Sequence, residues 1–191
     1  MSFKQYRNLD LAIFIAMYAV CEYLVIKAAT VWFDEPYSIS IMLPMLALVM
    51  MRWDKYCLVN SIIYAVLFVF YQHGSANQYL IYIIGNLGFM LSYFYVMKVG
   101  KDKIRSNFYN AALYMIVCFL LMETFRGLSS MIISKTGPGV IVSFIMTDML
   151  SLVFGLLVVI ATRKTDVFED QKQYLLKINS QDKQDGGWQD E

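Results

Sequence analysis

The sequence predicts an all-α integral membrane protein: a bundle of six transmembrane helices with both termini in the cytoplasm. Three observations support this fold class. The chain has six long apolar runs, its Lys and Arg residues concentrate at every second junction, and 59% of its 191 residues are hydrophobic against 16% charged. We expect residues 1–162 to form the membrane domain and residues 163–191 a polar cytoplasmic tail, partly helical and then disordered.

The apolar runs supply the six predicted helices. Because an α-helix rises ~1.5 Å per residue, most of the runs are long enough to cross a hydrocarbon core of ~30 Å. The second and third runs are shorter, but charged or turn residues bound each of them, so we interpret them as separate spans. In chain order the runs comprise residues 11–33, 37–51, 56–71, 78–97, 108–133 and 140–162.

The basic residues indicate how the helices are oriented. Thirteen of the 16 Lys and Arg residues fall in the N-terminal segment, the second and fourth junctions and the tail, whereas the opposite side has only Lys135 in a loop. Basic loops are retained on the cytoplasmic side of a membrane. The distribution therefore predicts cytoplasmic termini. It also leaves no dense basic surface, so we expect no nucleic-acid partner.

The sequence contains little that favours a metal site, a redox centre or a cofactor. Cys21, Cys57 and Cys118 lie singly within apolar runs, and the one histidine, His73, falls in a predicted outer loop. Isolated cysteines in apolar segments behave as small hydrophobic residues, and metal sites need clustered ligands. We predict no metal and no cofactor. Because the sequence has no G-x-x-x-x-G-K-[ST] phosphate loop, any ATP hydrolysis would belong to a partner.

Six polar residues inside the predicted spans are candidates for a functional role, because an ionisable group there costs at least ~2.5–3.5 kcal/mol. Such groups normally face a cavity or a charged partner. Counting ~1.5 Å per residue from the outer end of each run places five of them about 10–16 Å deep, in the outer half of the membrane. The six residues are Glu22, Lys27, Asn86, Glu123, Arg126 and Asp148.

These polar residues predict a site that can be interpreted in two ways. Glu123 and Arg126 are three residues apart and share a helix face, and Asp148 lies at a similar depth on the next helix. One interpretation is a network of ion pairs that fixes helix packing. The other, which we favour, is a ligand pocket open to the outside, in which Arg126 donates to a carboxylate or carbonyl group. The candidate binding residues are Arg126, Glu123, Asp148, Asn86, Tyr37 and Tyr79.

Two local features, added to this architecture, resemble a known family. Ala12, Ala16 and Ala19 form a stripe of small residues that would let another helix approach closely. The outer loop runs into Pro36-Tyr37-Ser38-Ile39-Ser40-Ile41 and is followed by Leu43-Pro44. Over residues 9–162 the chain resembles the substrate-binding S component of energy-coupling factor (ECF) transporters. Glu22 is not part of the family pattern.

The resemblance implies vitamin uptake through a prokaryotic plasma membrane. An S component binds a water-soluble vitamin or related micronutrient in an outward-facing pocket, which the loop between the first two helices helps to close. It then docks, through the stripe matched here by Ala12 and Ala16, onto a transmembrane coupling subunit that carries two ATPase subunits. Toppling of the S component in the lipid bilayer delivers the ligand inward. The resemblance therefore implies a multi-pass binding subunit and not an enzyme.

Two other functions remain open from the sequence. Glu123-Thr-Phe-Arg126 resembles part of the signature of the abortive-infection and prenyl-processing membrane proteases, but those proteases have paired Glu residues, a longer spacing and additional His motifs. A structural or accessory membrane subunit without a ligand would use the same polar residues for packing alone. A ligand that raises the melting temperature would distinguish a binding subunit from an accessory one.

Overall fold

The computed structural model describes residues 3–32, 39–171 and 174–175, and within these ranges the fold is helical, without strands. The predicted binding residue Tyr37 and the end of the tail, residues 176–191, lie outside the described residues. The helices of the described chain are α1 (Phe3–Trp32), α2 (Met42–Trp53), α3 (Cys57–Tyr71), α4 (Ala76–Phe89), α5 (Ser92–Val99), α6 (Lys101–Ser106), α7 (Phe108–Ile133), α8 (Gly139–Thr147) and α9 (Met149–Thr162).

Several of these helical segments are long and apolar enough to cross a membrane. Within the described residues there are four such stretches, or five if the bent pair α8 and α9 is one span. Length and composition thus agree with a helical membrane protein, but they give fewer spans than the six predicted. The four stretches are Phe3–Ala29, Met42–Tyr71, Ala76–Val99 and Phe108–Ile133.

The stretch Met42–Tyr71 contains a reversal of the chain between α2 and α3. Asp54 has a positive φ of 51°, and the Cys57 thiol donates to the Leu46 carbonyl oxygen at 3.4 Å although the two residues are 11 positions apart. In a continuous helix that separation would be roughly 16 Å. The two helices therefore pack as an antiparallel hairpin, which is why the predicted runs 37–51 and 56–71 appear as separate helices.

The central helix of the bundle is α2. All 12 of its residues are buried, and Tyr114 of α7 donates to the carbonyl oxygen of its Ala47 at 3.0 Å. Helix α9 also packs closely against α2, because a Cβ placed on its Gly155 would lie only 3.6 Å from Leu43. The predicted run began at residue 37, but residues 39–41 are not helical and α2 begins at Met42. At about 18 Å, α2 is shorter than a hydrocarbon core.

The predicted last span, 140–162, is broken in two at Asp148. Helices α8 and α9 are bent by 47° with respect to each other at this residue. Its amide nitrogen donates to the Phe144 carbonyl at the end of α8, and its carbonyl accepts from Ser151 at the start of α9. The chain leaves α9 at Thr162 and forms a 3₁₀ turn over Asp166–Phe168, so the tail does not extend α9 directly.

One end of the bundle brings the basic segments of the chain together. Arg52 contacts both carboxylate oxygens of Asp10, each at 3.0 Å. Lys101 pairs with Asp54 and with Asp170, each at 2.6 Å. The start of α1, the turn between α2 and α3, helix α6 and the segment after α9 therefore meet at this end, which we call the basic end.

Candidate functional site

Arg126 of α7 is the centre of a buried polar cluster, and its side chain is only 2% exposed. One terminal nitrogen, Nη1, donates to Glu123 Oε1 at 2.7 Å and to Asp148 Oδ2 at 2.8 Å. Along α7 the residue lies about 27 Å from Phe108, which is near the basic end, and about 10 Å from Ile133. The cluster is therefore displaced toward the end of the bundle opposite the basic end.

The second terminal nitrogen of Arg126 points toward α4. Its Nη2 lies 3.3 Å from Asn86 Oδ1 and 3.4 Å from the sulfur of Met42. The Asn86 amide also donates to the Ser61 carbonyl of α3 at 2.8 Å, so Asn86 connects three helices. The guanidinium carbon of Arg126 is 4.5 Å from the ring centroid of Tyr82, a distance at which the cation is attracted by the face of the aromatic ring.

Gly85 provides the space that the Arg126 side chain occupies. A Cβ at this position of α4 would lie 2.1 Å from Arg126 Cγ, which is closer than any two non-bonded carbon atoms can approach. The absence of a side chain therefore lets α4 and α7 pack closely around the guanidinium group. One sequence pattern indicates this arrangement: Gly85 directly precedes Asn86 and lies three residues after Tyr82, so a small residue adjoins two polar ones on the same helix.

Glu22 of α1 belongs to the cluster and faces the interior of the bundle. Its side chain is fully buried, and its Oε2 accepts the Ile41 backbone N–H at 2.9 Å. Its carboxylate also interacts electrostatically with Arg126 and Asp148. Ile41 directly precedes α2, where unpaired N–H groups and the helix dipole favour an anion. Glu22 therefore caps the central helix, a role that its position in the sequence did not reveal.

The segment before α2 is held inside the bundle by further hydrogen bonds. The Ser40 amide donates to the Ser151 hydroxyl of α9 at 2.9 Å, and the Met42 amide donates to the Ser40 hydroxyl at 3.0 Å. Ser40 and Ser151 are both buried. The described end of the α1–α2 connection is thus attached to the first turn of α9, beside Asp148.

The cluster contains more acidic groups than basic ones. Among the described residues it comprises three carboxylates, from Glu22, Glu123 and Asp148, and one guanidinium group, from Arg126. Three of its buried atoms have no hydrogen-bond partner: Glu22 Oε1, Glu123 Oε2 and Arg126 Nε. Unsatisfied buried polar atoms are costly, at roughly 1–3 kcal/mol each, and the cluster holds half of the six in the described residues; the others are Asn60 Oδ1, Ser92 Oγ and Tyr95 Oη.

Four of the six predicted binding residues meet in this cluster. Arg126, Glu123, Asp148 and Asn86 come together as their predicted depths indicated. Tyr79 is half-buried in the first turn of α4, and Tyr82, one turn further along, provides the aromatic face to Arg126. The contributions of Met42, Ser40 and Ser151 were not predicted, because they depend on where the segment before α2 packs.

The alanine stripe of α1 lies on a largely exposed surface of the bundle. Ala12 and Ala16 are exposed and Ala19 is half-buried. Neighbouring apolar side chains on the same helix, including Ile13 and Met17, are also exposed. In the described parts of the chain this surface is apolar and largely exposed, so it is available to lipid or to another helix.

The rest of the described chain does not meet the requirements of a metal site but contains an apolar groove. No group of three or more His, Cys, Asp or Glu side chains in the described ranges is placed to hold a metal ion. An apolar groove of about 270 Å³ runs between α4 and α7, lined by Ile84, Phe125, Leu128, Ser129, Ile132 and Ile133. Its lining includes none of the cluster residues.

Comparison with known proteins gives no relative for this fold or site: no family model, no curated protein and no solved structure matches the chain.

Proposed function

We propose that this protein is the substrate-binding S component of an ECF-type importer in a prokaryotic plasma membrane. In this proposal six helical segments form the membrane bundle, and a water-soluble vitamin or related micronutrient binds at the polar cluster from the outside. The chain binds the ligand and hydrolyses nothing itself. A transmembrane coupling subunit and two ATPase subunits complete the importer and supply the energy for transport.

The observation that carries the proposal is the buried cluster around Arg126. Packing alone requires polar groups that satisfy one another, whereas Glu22 Oε1, Glu123 Oε2 and Arg126 Nε remain without partners. A small polar ligand bound among them would satisfy these atoms. Buried ionisable groups inside membrane helices commonly mark substrate pathways, which supports a binding role for the cluster.

The distribution of charge supports the proposed orientation. The basic end contains Arg52, Lys101 and Arg105, and basic segments are retained on the cytoplasmic side. With that end in the cytoplasm, the cluster lies nearer the outer surface, where a subunit that captures external solutes needs its pocket. Both termini are then cytoplasmic, and the exposed stripe of Ala12 and Ala16 lies in the cytoplasmic half of α1, accessible to a coupling subunit.

The proposal is tested by ligand-induced stabilisation of the purified protein in detergent. A panel of water-soluble vitamins is added one at a time, and the unfolding temperature is recorded. A ligand at 100 times its Kd stabilises the folded state by about 2.7 kcal/mol, so one panel member should produce a clear upward shift. If every member leaves the unfolding temperature unchanged, the proposed function is wrong.

A variant pair shows whether the stabilising ligand binds at the cluster. Asn86→Ala removes an amide that lies within the cluster, whereas Asn110→Ala changes a half-buried amide near the basic end of α7. Binding at the cluster predicts that the ligand-induced shift is reduced in Asn86→Ala and retained in Asn110→Ala. A shift retained equally in both variants would place the ligand elsewhere.

A structural or accessory subunit without a ligand is the second candidate, and one observation favours it. Both terminal nitrogens of Arg126 are occupied by groups of the protein itself, from Glu123, Asp148 and Asn86. Such a network can hold α4, α7 and the α8–α9 break together without any other molecule. The same vitamin panel separates the two candidates, because a packing network has no ligand to stabilise it.

A further inference from the structure

The hydrogen-bond donors at the cluster are almost all in use. Arg126 Nη1 donates to two carboxylates, at 2.7 and 2.8 Å, and Nη2 faces Asn86. At the start of α2, the N–H of Ile41 donates to Glu22 and that of Met42 to Ser40. The two features that would most readily attract an anion, the guanidinium group and the start of the central helix, are therefore already neutralised by the protein's own acidic groups.

The unused capacity of the cluster is mainly that of an acceptor. Two carboxylate oxygens, Glu22 Oε1 and Glu123 Oε2, are buried and without partners, against one donor, Arg126 Nε. Both glutamate side chains are fully buried, so solvent does not satisfy these oxygens. As carboxylates both oxygens accept hydrogen bonds, so a ligand that brings N–H or O–H donors to them completes their hydrogen bonding.

The charge of the cluster leads to the same ligand class. Three carboxyl groups share one guanidinium group inside the bundle, so ionisation of all three leaves negative charge that no group of the cluster balances. An anionic ligand in this site would be buried beside carboxylates of the same charge. The repulsion would strongly weaken its binding. A cation would instead balance the excess, and its interaction with the carboxylates would be strengthened by burial.

On the basis of the proposed binding function, we infer that the ligand is a cation rich in N–H donors, such as a primary ammonium or a protonated amino-heterocycle. Its charged group binds at the acidic side of the cluster, where Glu22 Oε1 and Glu123 Oε2 are the acceptors without partners. Arg126 orients Glu123 of α7 and Asp148 at the α8–α9 break. It does not bind a ligand carboxylate. This assignment reverses the role that the sequence alone suggests for Arg126.

The inference is tested with ligands that share a ring and differ in charge. Pyridoxamine and 4-pyridoxic acid have the same pyridine ring, substituted with an ammonium group in one and a carboxylate in the other. Thiamine adds a second cation, riboflavin a neutral heterocycle, and biotin and pantothenate two further anions. Dissociation constants are measured by titration calorimetry with the purified wild-type protein. We expect the tightest binder to be a cation, and pyridoxamine to bind at least tenfold more tightly than 4-pyridoxic acid.

Matched carboxamide variants locate the cation. Glu22→Gln and Glu123→Gln preserve side-chain size but each replaces an acceptor oxygen by a donor, and each should weaken binding of the cation at least tenfold. Glu169→Gln makes the same change at the basic end, where Glu169 pairs with Arg105 at 3.2 Å, and should leave the affinity unchanged.

The outcomes separate this inference from the proposed function. If the tightest binder is an anion or a neutral heterocycle, the inference is overturned and the binding function stands. Unchanged cation affinity in folded Glu22→Gln and Glu123→Gln also overturns it. If no member of the panel binds, the proposed function fails and the inference with it. The wild-type selectivity decides the question even if a carboxamide variant does not fold.

Discussion

Arg126 and Asp148 form an ion pair of 2.8 Å that joins α7 to the break between α8 and α9, although the two residues are 22 positions apart in the chain. Both side chains are buried. Asp148 lies at the bend between α8 and α9, and its carboxylate pairs with the Arg126 guanidinium group of α7. The bend is therefore part of the polar cluster. The ion pair thereby attaches the bend to α7.

Replacing Arg126 by Ala should destabilise the protein severely. The substitution leaves Glu123 and Asp148 buried without their cationic partner, and breaking a buried pair in this way costs about 3–5 kcal/mol. Arg105→Ala is the matched control, because it removes an arginine from a partly exposed pair with Glu169, where the loss should be about 0–1 kcal/mol. Thermal unfolding in detergent measures both. Equal stability of the two variants would show that the cluster does not hold the fold together.

A side chain at Gly85 should displace Arg126. Gly85→Ala places a Cβ 2.1 Å from Arg126 Cγ, so α4 and α7 must separate or the arginine must leave its position. Overpacking of this kind costs typically about 1–3 kcal/mol, more than the gain in helix propensity of about 1 kcal/mol. In Gly139→Ala, at the start of α8, the new Cβ has no neighbour within 4 Å, so stability should be unchanged or slightly increased by the gain in helix propensity. Unfolding temperatures of the two variants test this; a stabilised Gly85→Ala would contradict it.

Loss of the Ser151 hydroxyl should loosen the segment before α2. In Ser151→Ala the buried Ser40 N–H loses its acceptor at 2.9 Å, and an unsatisfied buried donor costs about 1–3 kcal/mol. Ser143→Ala changes an exposed serine of α8 and should have no effect. Hydrogen exchange of the Ser40 and Ile41 amides, followed by mass spectrometry, should be faster only in Ser151→Ala. Identical exchange in the two variants would mean that this contact does not hold the segment.

Large side chains on the exposed stripe of α1 should separate ligand binding from transport. Ala12→Trp and Ala16→Trp alter an exposed surface, so folding and ligand affinity should be retained, whereas docking to a coupling subunit and uptake should be lost. Ala161→Trp, at an exposed position of α9, is the matched control and should preserve uptake. Binding by the purified protein and uptake by whole cells are the two measurements. Uptake that persists in both stripe variants would reject the docking role.

The helices and the members of the polar cluster were accessible to sequence reasoning for identifiable reasons. The run 108–133 coincides with α7 because a long apolar stretch bounded by polar residues has few alternatives to a helix. Glu123 and Arg126 were grouped because residues three apart share a helix face. Asp148 and Asn86 were added from their predicted depth in the membrane alone. Depth is informative because polar groups in apolar helices pair with polar groups at the same level.

Other features depend on tertiary contacts that no local pattern encodes. The end of α8 at Thr147 involves neither Pro nor Gly, so the break at Asp148 has no signal in the sequence. The start of α2 depends on Glu22, which lies 19 positions earlier and accepts the Ile41 amide. Tyr82 and Tyr79 are adjacent on one helix face, and only the packing of α4 on α7 determines which of them reaches Arg126.

The complete enclosure of α2 has a consequence for how the protein is made. Its Ala47 carbonyl is bonded to a residue 67 positions later, and the amide of Ser40, just before the helix, to one 111 positions later. With the membrane location proposed above, the α2–α3 hairpin enters the membrane well before the helices that surround it exist. We expect an insertase to shelter the hairpin until α9 emerges from the ribosome. We also expect chains terminated before α7 to be degraded by membrane quality-control proteases.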